Sequence, residues 1–300
     1  MASPEIVNQN QNQIRETGKI EAPRSCETLR LVNETRAIII FGRFAVGQSN
    51  LGRNISWCLG AELFDGGRKL RKETGNTPGT TEFMPRDASL DQDIDATQVE
   101  LIKSASFEKP LVIVAKLGGY NAARLMQEDP SVKVVRVLVT CDRKEAAKRA
   151  LHRAQKEVQE EFGRISQQAK MGEISEDELT DALIELNRKK EALTLDKIIE
   201  DAQKRERGDS KHWGEIYPEL KGVDVYDPAA LVKVGGRGGK KQPLFDIRVS
   251  TTRKTETQSV TDLIQKLVNG GYAEKAEANP AEVNPQPQGG VVFEKPRPVN

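Results

Sequence analysis

Several things are scarce in this 300-residue sequence, and each scarcity narrows what it does. Lysine and arginine together number 46 against 45 acidic residues, a net charge of +1. That balance excludes bulk attraction to nucleic acid or to an anionic membrane, and neither is expected as a partner. The three cysteines, Cys26, Cys58 and Cys141, are odd in number, far apart and lack C-x-x-C spacing. They support neither a disulfide framework nor a zinc site, and a reducing cytoplasm is the expected location. The two histidines, His152 and His212, are isolated, so no Ser/His/Asp arrangement can be built from them. No apolar run approaches membrane-spanning length, and the polar N-terminus has no signal-like core. Apolar residues at 37% and charged ones at 30% fit a globular protein with some long exposed helix or tail.

What is present is organised around Ala37–Asn50, AIIIFGRFAVGQSN. A β-branched apolar run ends at Gly42, and a helix-like segment follows from Ser49. Between them lies Gly42-x-x-x-x-Gly47-Gln48-Ser49, the phosphate-binding pattern with glutamine where lysine is expected. Such a loop works mostly through backbone: glycines permit unusual φ angles, and successive N–H groups with a helix N-terminus form a concave anion site. Ser49 offers a hydroxyl to Mg²⁺. Glutamine can donate a hydrogen bond but brings no charge. One charge at 4 Å is worth about 4 kcal/mol at an effective dielectric of 20, before solvent screening. Fast phosphoryl transfer therefore needs cations from elsewhere.

Five strands are expected, at 37–41, 61–65, 111–115, 134–140 and 244–250. Most are continuous apolar runs, as strands covered on both faces of a parallel sheet are. Helices are expected near 49–59, 92–105, 118–127, from 143 onward and at 259–269. The alternation predicts an α/β, doubly wound, five-stranded parallel sheet with ligands at the C-terminal strand ends. Residues 1–35 and 273–300 are polar and expected to be disordered, leaving a domain at 36–272. The charged stretch 143–208 predicts a helical hairpin of two helices. Gly172 ends the first, and Ser175-x-x-Glu178 opens the second as a capping box. Leu179, Leu183, Leu186 and Leu193 give it an apolar stripe, suited to packing on itself or in a homodimer.

Cations recur after strand ends: Arg68, Lys69, Arg71 and Lys72 after the second, Lys116 after the third, and Arg205, Arg207 and Lys211 late in the hairpin. Arginine forks suit phosphate clamps. Asp91, Asp93 and Asp95 lack the Gly and Glu that an EF-hand ligand loop requires, since Ala96 and Ile102 stand there. They read instead as the acidic first turn of a helix. Trp213 and Tyr217, at helical spacing, read as packing rather than base stacking.

Taken in order, these segments resemble the cytidylate kinase family of P-loop nucleoside monophosphate kinases, most closely its archaeal-type members, over about residues 37–268. AIIIFGRFAVGQSN is similar to the family's opening strand and loop, where archaeal-type members often carry Thr for the Lys. FDGGRKLRKETG resembles the segment with the family's glycine and phosphate-contacting arginine, which fall on Gly67 and Arg71. Asp91-x-x-x-Asp95-x-x-Gln98 resembles the Asp-rich helix of the monophosphate-binding region. KRERGDSKHWGEIY resembles the lid-to-tyrosine segment, with Arg205 on the lid arginine, and LFDIRVSTT the final strand, with Asp246 in place. The chain departs from the family at Val114-Ala115-Lys116, where Glu-Gly-Arg is usual, at His212-Trp213 for Arg-Tyr, at Ala96 for arginine and at Arg68 for an acid.

The resemblance implies a P-loop NTPase fold with a monophosphate-binding region near 66–108 and a lid within 143–215. It implies transfer of a phosphoryl group from ATP, with Mg²⁺, to CMP, dCMP or a related monophosphate. Gly42, Ala45, Val46, Gly47, Gln48, Ser49 and Asn50 would face the donor phosphates, with Ser49 on the metal. Gly67, Arg71, Asp95 and Lys116 would hold the acceptor, and Arg71 and Arg205 would neutralise the transferring group. The departures leave open a kinase-like regulatory or scaffolding module and a kinase acting on a non-nucleotide acceptor.

Overall fold

A computed structural model describes residues 28–74, 88–234 and 239–276. The chain begins there with β1 (Leu29–Leu31) and β2 (Thr35–Gly42), followed by α1 (Gln48–Leu59), β3 (Glu62–Asp65), α2 (Gly66–Thr74) and α3 (Ala88–Ser104). β4 (Leu111–Val114), α4 (Gly118–Glu128) and β5 (Lys133–Thr140) complete the first half. Three helices come next, α5 (Arg143–Lys170), α6 (Glu176–Ala192) and α7 (Leu195–Ile216), then a 3₁₀ turn at Pro218–Leu220. β6 (Leu231–Lys233), β7 (Lys241–Pro243), β8 (Ile247–Ser250), α8 (Glu256–Asn269) and β9 (Ala273–Lys275) finish the described chain.

Five strands form one sheet in the order β3-β4-β2-β5-β8, every neighbouring pair parallel. β2 is central because its run of Ile and Phe is buried on both faces. Ile38 and Ile40 face a layer that includes Leu51 and Ile55 of α1 and Leu263 and Leu267 of α8. Ala37 and Ile39 face the opposite layer, with Ile94 of α3 and Leu125 of α4. This is the expected α/β fold, a doubly wound, five-stranded parallel sheet. Because all five strands are parallel, Gly42, Asp65, Val114, Thr140 and Ser250 share one edge, where chain order reverses on either side of β2.

Four expectations need correction. The domain boundaries at 35/36 and 272/273 are too narrow, because β1 and β9 pair antiparallel, Leu29 with Lys275 and Leu31 with Ala273. Residues 1–27 and 277–300, the rest of both expected disordered segments, lie outside the described residues. The last strand starts at Ile247 rather than at residue 244. Leu244 instead turns into an apolar cluster with Phe41 and Trp213, and Asp246 closes on buried Arg136 of β5 through Nε (3.0 Å) and Nη2 (2.6 Å). The helical insertion has three helices, not two. Thr194 caps α7 by accepting from Lys197 N, so the leucine stripe runs across a break that Leu193 itself occupies. The Ser175 capping box and the positive φ of Gly172 (70°) are as the sequence predicts. Finally, Cys58 is disulfide-bonded while Cys141 is free, where the cysteine spacing supported no disulfide. No described helix is long and apolar enough to cross a membrane.

Candidate functional site

The loop after β2 folds as its sequence requires. Gly42 leaves no room for a side chain, since a Cβ there would stand 2.5 Å from Val139 O and 2.9 Å from Val46 Cγ2. Gly47, the cap of α1, is left-handed at φ 92°, and Ala45 also has positive φ, 59°. Left-handed residues alternating with ordinary ones turn successive N–H groups inward, the geometry of an anion-binding nest. Gln48 opens α1 with its Oε1 buried and unpartnered, 3.2 Å from where a Gly42 Cβ would be. The side-chain amide offers two N–H donors as well as this oxygen, so the loop has hydrogen-bonding capacity there that the protein does not use.

Two arginines stand at this loop. Arg205 of α7 stacks on the ring of Phe44, Cζ 5.2 Å from its centroid. Arg149 of α5 was not singled out in the sequence. Its Nη1 lies 3.9 Å from a Cβ built on Gly47 and donates to Thr251 Oγ1 (3.1 Å), while Nη2 donates to Thr251 O (2.7 Å). The Thr251 hydroxyl in turn donates to Val46 O (2.8 Å), tying guanidinium, threonine and loop into one unit. The available signal was the buried face Ala146, Ala147 and Ala150, which Arg149 flanks. Arg43, inside the loop, pairs with Glu206 of α7 and with Asp224. Opposing pulls act on it: burial lowers its proton affinity, and the two carboxylates more than reverse that.

On the acceptor side the expected residues separate. Gly67 and Arg71 are neighbours one turn apart on α2, with Arg71 Nη1 3.3 Å and Asp65 Oδ1 3.2 Å from a Gly67 Cβ. Residues 75–87, within the expected monophosphate-binding region, lie outside the described residues. Lys116 sits at the end of β4, but it is ion-paired with buried Asp209 and lies 5.9 Å from the centre of the Trp213 ring. Asp95 is wholly engaged by protein. Its Oδ1 accepts from Gln98 Nε2 (3.0 Å) and Asn121 Nδ2 (2.7 Å), and its Oδ2 from Tyr217 OH (2.7 Å). Asp95 lies in the middle of α3, which starts at Ala88, so only Asp91 belongs to the first turn. His212 Nε2 is 2.8 Å from Asp91 Oδ2 without the alignment of a hydrogen bond. Tyr217 is also tilted against Tyr120 at 5.0 Å, the packing role expected of it.

Burial, with the Asp91 charge adding to it, pushes Asp95 up to about 6 despite the hydrogen bonds from Tyr217, Asn121 and Gln98. Between about pH 4 and 6 the folded chain thus binds a proton that the unfolded chain does not. Stability must fall as pH rises through that window, by as much as about 3 kcal/mol for a two-unit shift. An Asp95→Asn variant should flatten this part of the profile in guanidinium unfolding followed from pH 4 to 7. Parallel profiles for the two proteins would show that Asp95 does not titrate there.

As for a metal, no group of three or more His, Cys, Asp or Glu is placed to hold one among the described residues. The Ser49 hydroxyl at the start of α1 is the donor the loop provides, and β4 ends in Val114 and Ala115 with no acid. That donor set fits a hard Mg²⁺ brought in by phosphate oxygens and keeping its waters, not a preformed cage.

No protein-family model matches this chain, and no curated protein does. Among solved structures it is similar to a gluconokinase from Sinorhizobium meliloti 1021, at 14% identity over 79% of this chain and 93% of that one, with a TM-score of 0.39. It is also similar to shikimate kinase from Aquifex aeolicus vf5, at 12% identity over 78% and 97%, TM-score 0.37. Thymidylate kinase from Candida albicans gives 10% over 83% and 97%, TM-score 0.33. At these values the likenesses carry no weight of their own. The α/β P-loop fold rests on the strand order and on the loop that ends β2.

Proposed function

We propose that this chain is an ATP- and Mg²⁺-dependent phosphotransferase of nucleoside monophosphate kinase type, with CMP or dCMP the first acceptors to try. The observation that carries the reading is the Gly42–Ser49 loop, with Ala45 and Gly47 left-handed and two arginines from the helical insertion beside it. In this reading the backbone of Gly42, Ala45, Val46, Gly47 and Gln48, with Asn50 at the edge, cradles the donor phosphates. Ser49 would hold Mg²⁺, which would supply charge neutralisation at the phosphates. Arg149 and Arg205 provide the positive charge that Gln48 lacks. Arg71, beside Gly67, holds the acceptor phosphate, with Lys116 as its second contact and Asp95 fixing the helix that faces it. Transfer is in-line, and catalysis consists of positioning and charge neutralisation, with α5–α7 serving as the lid that excludes water.

A second reading has its own observation. Lys116 is paired with Asp209 and lies over the buried Trp213 ring, an arrangement made without an acceptor. That favours a kinase-like module that binds nucleotide and signals or scaffolds without turnover. A coupled ATP-consumption assay over a panel of monophosphates separates the two. Turnover with one acceptor, lost in Arg71→Ala and Ser49→Ala, supports the enzyme. MgATP binding by calorimetry with no transfer to any acceptor sinks it and leaves the module.

A further inference from the structure

The turn that follows β8 is fastened on several sides. Thr251 donates its N–H to Thr140 O (2.9 Å) at the end of β5, and its hydroxyl to Val46 O of the loop (2.8 Å). Thr252 Oγ1 accepts from Asp142 N (2.7 Å), the cap of α5, and Arg149 Nη2 donates to Thr251 O (2.7 Å). On the far side Glu256, the first residue of α8, accepts from Asn54 Nδ2 of α1 (2.6 Å). Lys254 N donates to Thr251 O (3.2 Å) and closes the turn, with Arg253 at its third position. Arg253 is left-handed there, at φ 53°. Such a position calls for glycine or asparagine, because a Cβ in this conformation crowds the following carbonyl. The chain instead keeps a long side chain, exposed, with no hydrogen-bond or ion-pair partner among the described residues. Arg43 and Arg149 nearby are both paired with carboxylates.

We propose that Arg253 is the residue that recognises the nucleoside of the donor, its planar guanidinium stacking on the base of a nucleotide whose phosphates lie in the Gly42–Ser49 loop. The proposal rests on the phosphotransferase reading only for a nucleotide in that loop. Neither packing nor an ion pair accounts for an arginine here, and strained residues that rigid surroundings hold in place cluster where ligands are clamped. Arg149 and Arg205 stand at the loop itself, whereas Arg253 lies two residues past the Thr251 hydroxyl, which touches the loop only at the Val46 carbonyl. It is therefore beside the phosphate cradle and not in it. The loop encloses phosphates alone, so the base needs a surface outside it, and a fixed turn with an unpaired planar cation supplies one. A guanidinium stacks on every base, so the selectivity it confers is for a nucleotide over an inorganic polyphosphate, not for one base over another.

Calorimetric titrations with MgATP and with magnesium tripolyphosphate on wild type, Arg253→Gly, Arg253→Ala and Arg253→Lys test this. The glycine and alanine variants should bind MgATP about tenfold more weakly, within the range for one stacked base, and tripolyphosphate as well as wild type does. Arg253→Lys keeps the charge and loses the plane, and it should lose nearly as much. Arg253→Gly should also melt about 3 °C above Arg253→Ala, since glycine alone is free of the strain. A merely structural role would tie affinity to melting temperature, whereas here the more stable variant binds no better. MgATP affinity equal in all four proteins overturns the inference. So does tripolyphosphate affinity falling in parallel with that for MgATP, which would put the guanidinium on the phosphates. MgATP bound by wild type, with no transfer to any acceptor, removes the phosphotransferase reading and leaves the role of Arg253 standing. MgATP bound by none of the four removes both.

Discussion

Replacing Arg149 with alanine is expected to weaken MgATP binding and lower turnover by about a hundredfold each, the size of losing one preorganised charge-stabilising donor. The loop has an uncharged Gln48 where its sequence pattern places a lysine, and the missing charge has to arrive from another element. Arg149 is suitably held: Thr251 takes two of its nitrogens, and the Thr251 hydroxyl fixes the loop carbonyl of Val46. A salt-bridge partner, Glu145, stands 3.6 Å away on the same helix and leaves the guanidinium only partly neutralised. Loss of the scaffold is a competing explanation, so Thr251→Val belongs beside it. That variant breaks the anchor but keeps the charge, and it should cost much less than Arg149→Ala. Gln48→Lys should rescue Arg149→Ala by restoring a cation at the first turn of α1. In the wild-type background it should add little, because the second cation meets the first. Isothermal titration with MgATP and initial rates on the five proteins measure this. Equal affinity in wild type and Arg149→Ala would show the guanidinium to be structural.

How much of this was legible in the sequence follows from what each signal depended on. The sheet was readable because burial on both faces demands continuous β-branched runs, and AIIIF, LVIV and VVRVLV are such runs. The loop was readable because its two glycines fall at fixed spacing between a strand and a helix, with a positive φ at Gly47 and no room for a Cβ at Gly42. Arg149 was not, since KEAAKRALHR has four basic residues within ten and only the alanine face distinguishes one from the rest. The pairing of β1 with β9 joins three-residue strands more than 240 residues apart, and neither has a pattern of its own. The break at Thr194 was hidden because the leucine spacing continued through it. The fate of Lys116 depended on Asp209, 93 positions away, and no local rule connects them. Residues whose roles are set by their own neighbours in sequence were found. Those set by a helix returning over the cleft were not.

That return gives the second large effect. Asp209→Ala should destabilise the fold by about 3 kcal/mol, because it removes the buried carboxylate that pairs with a largely buried ammonium. Asp209 is 3% exposed and the Lys116 side chain 24%, so little solvent screening is available to either. Replacing both at once, Lys116→Met with Asp209→Leu, should recover most of that loss, since well-packed apolar groups often serve as well as a buried pair. The cycle also divides stability from chemistry. If Lys116 contacts an acceptor phosphate, the double variant will fold like wild type yet turn over poorly, with the deficit in KM for the acceptor. If the pair only fastens α7 to the end of β4, the double variant will keep both stability and KM. Urea unfolding gives the first quantity, and the acceptor titration gives the second. A single Asp209→Ala variant as stable as wild type would mean that Lys116 finds water or another anion there, and that the pair is not what holds α7 down.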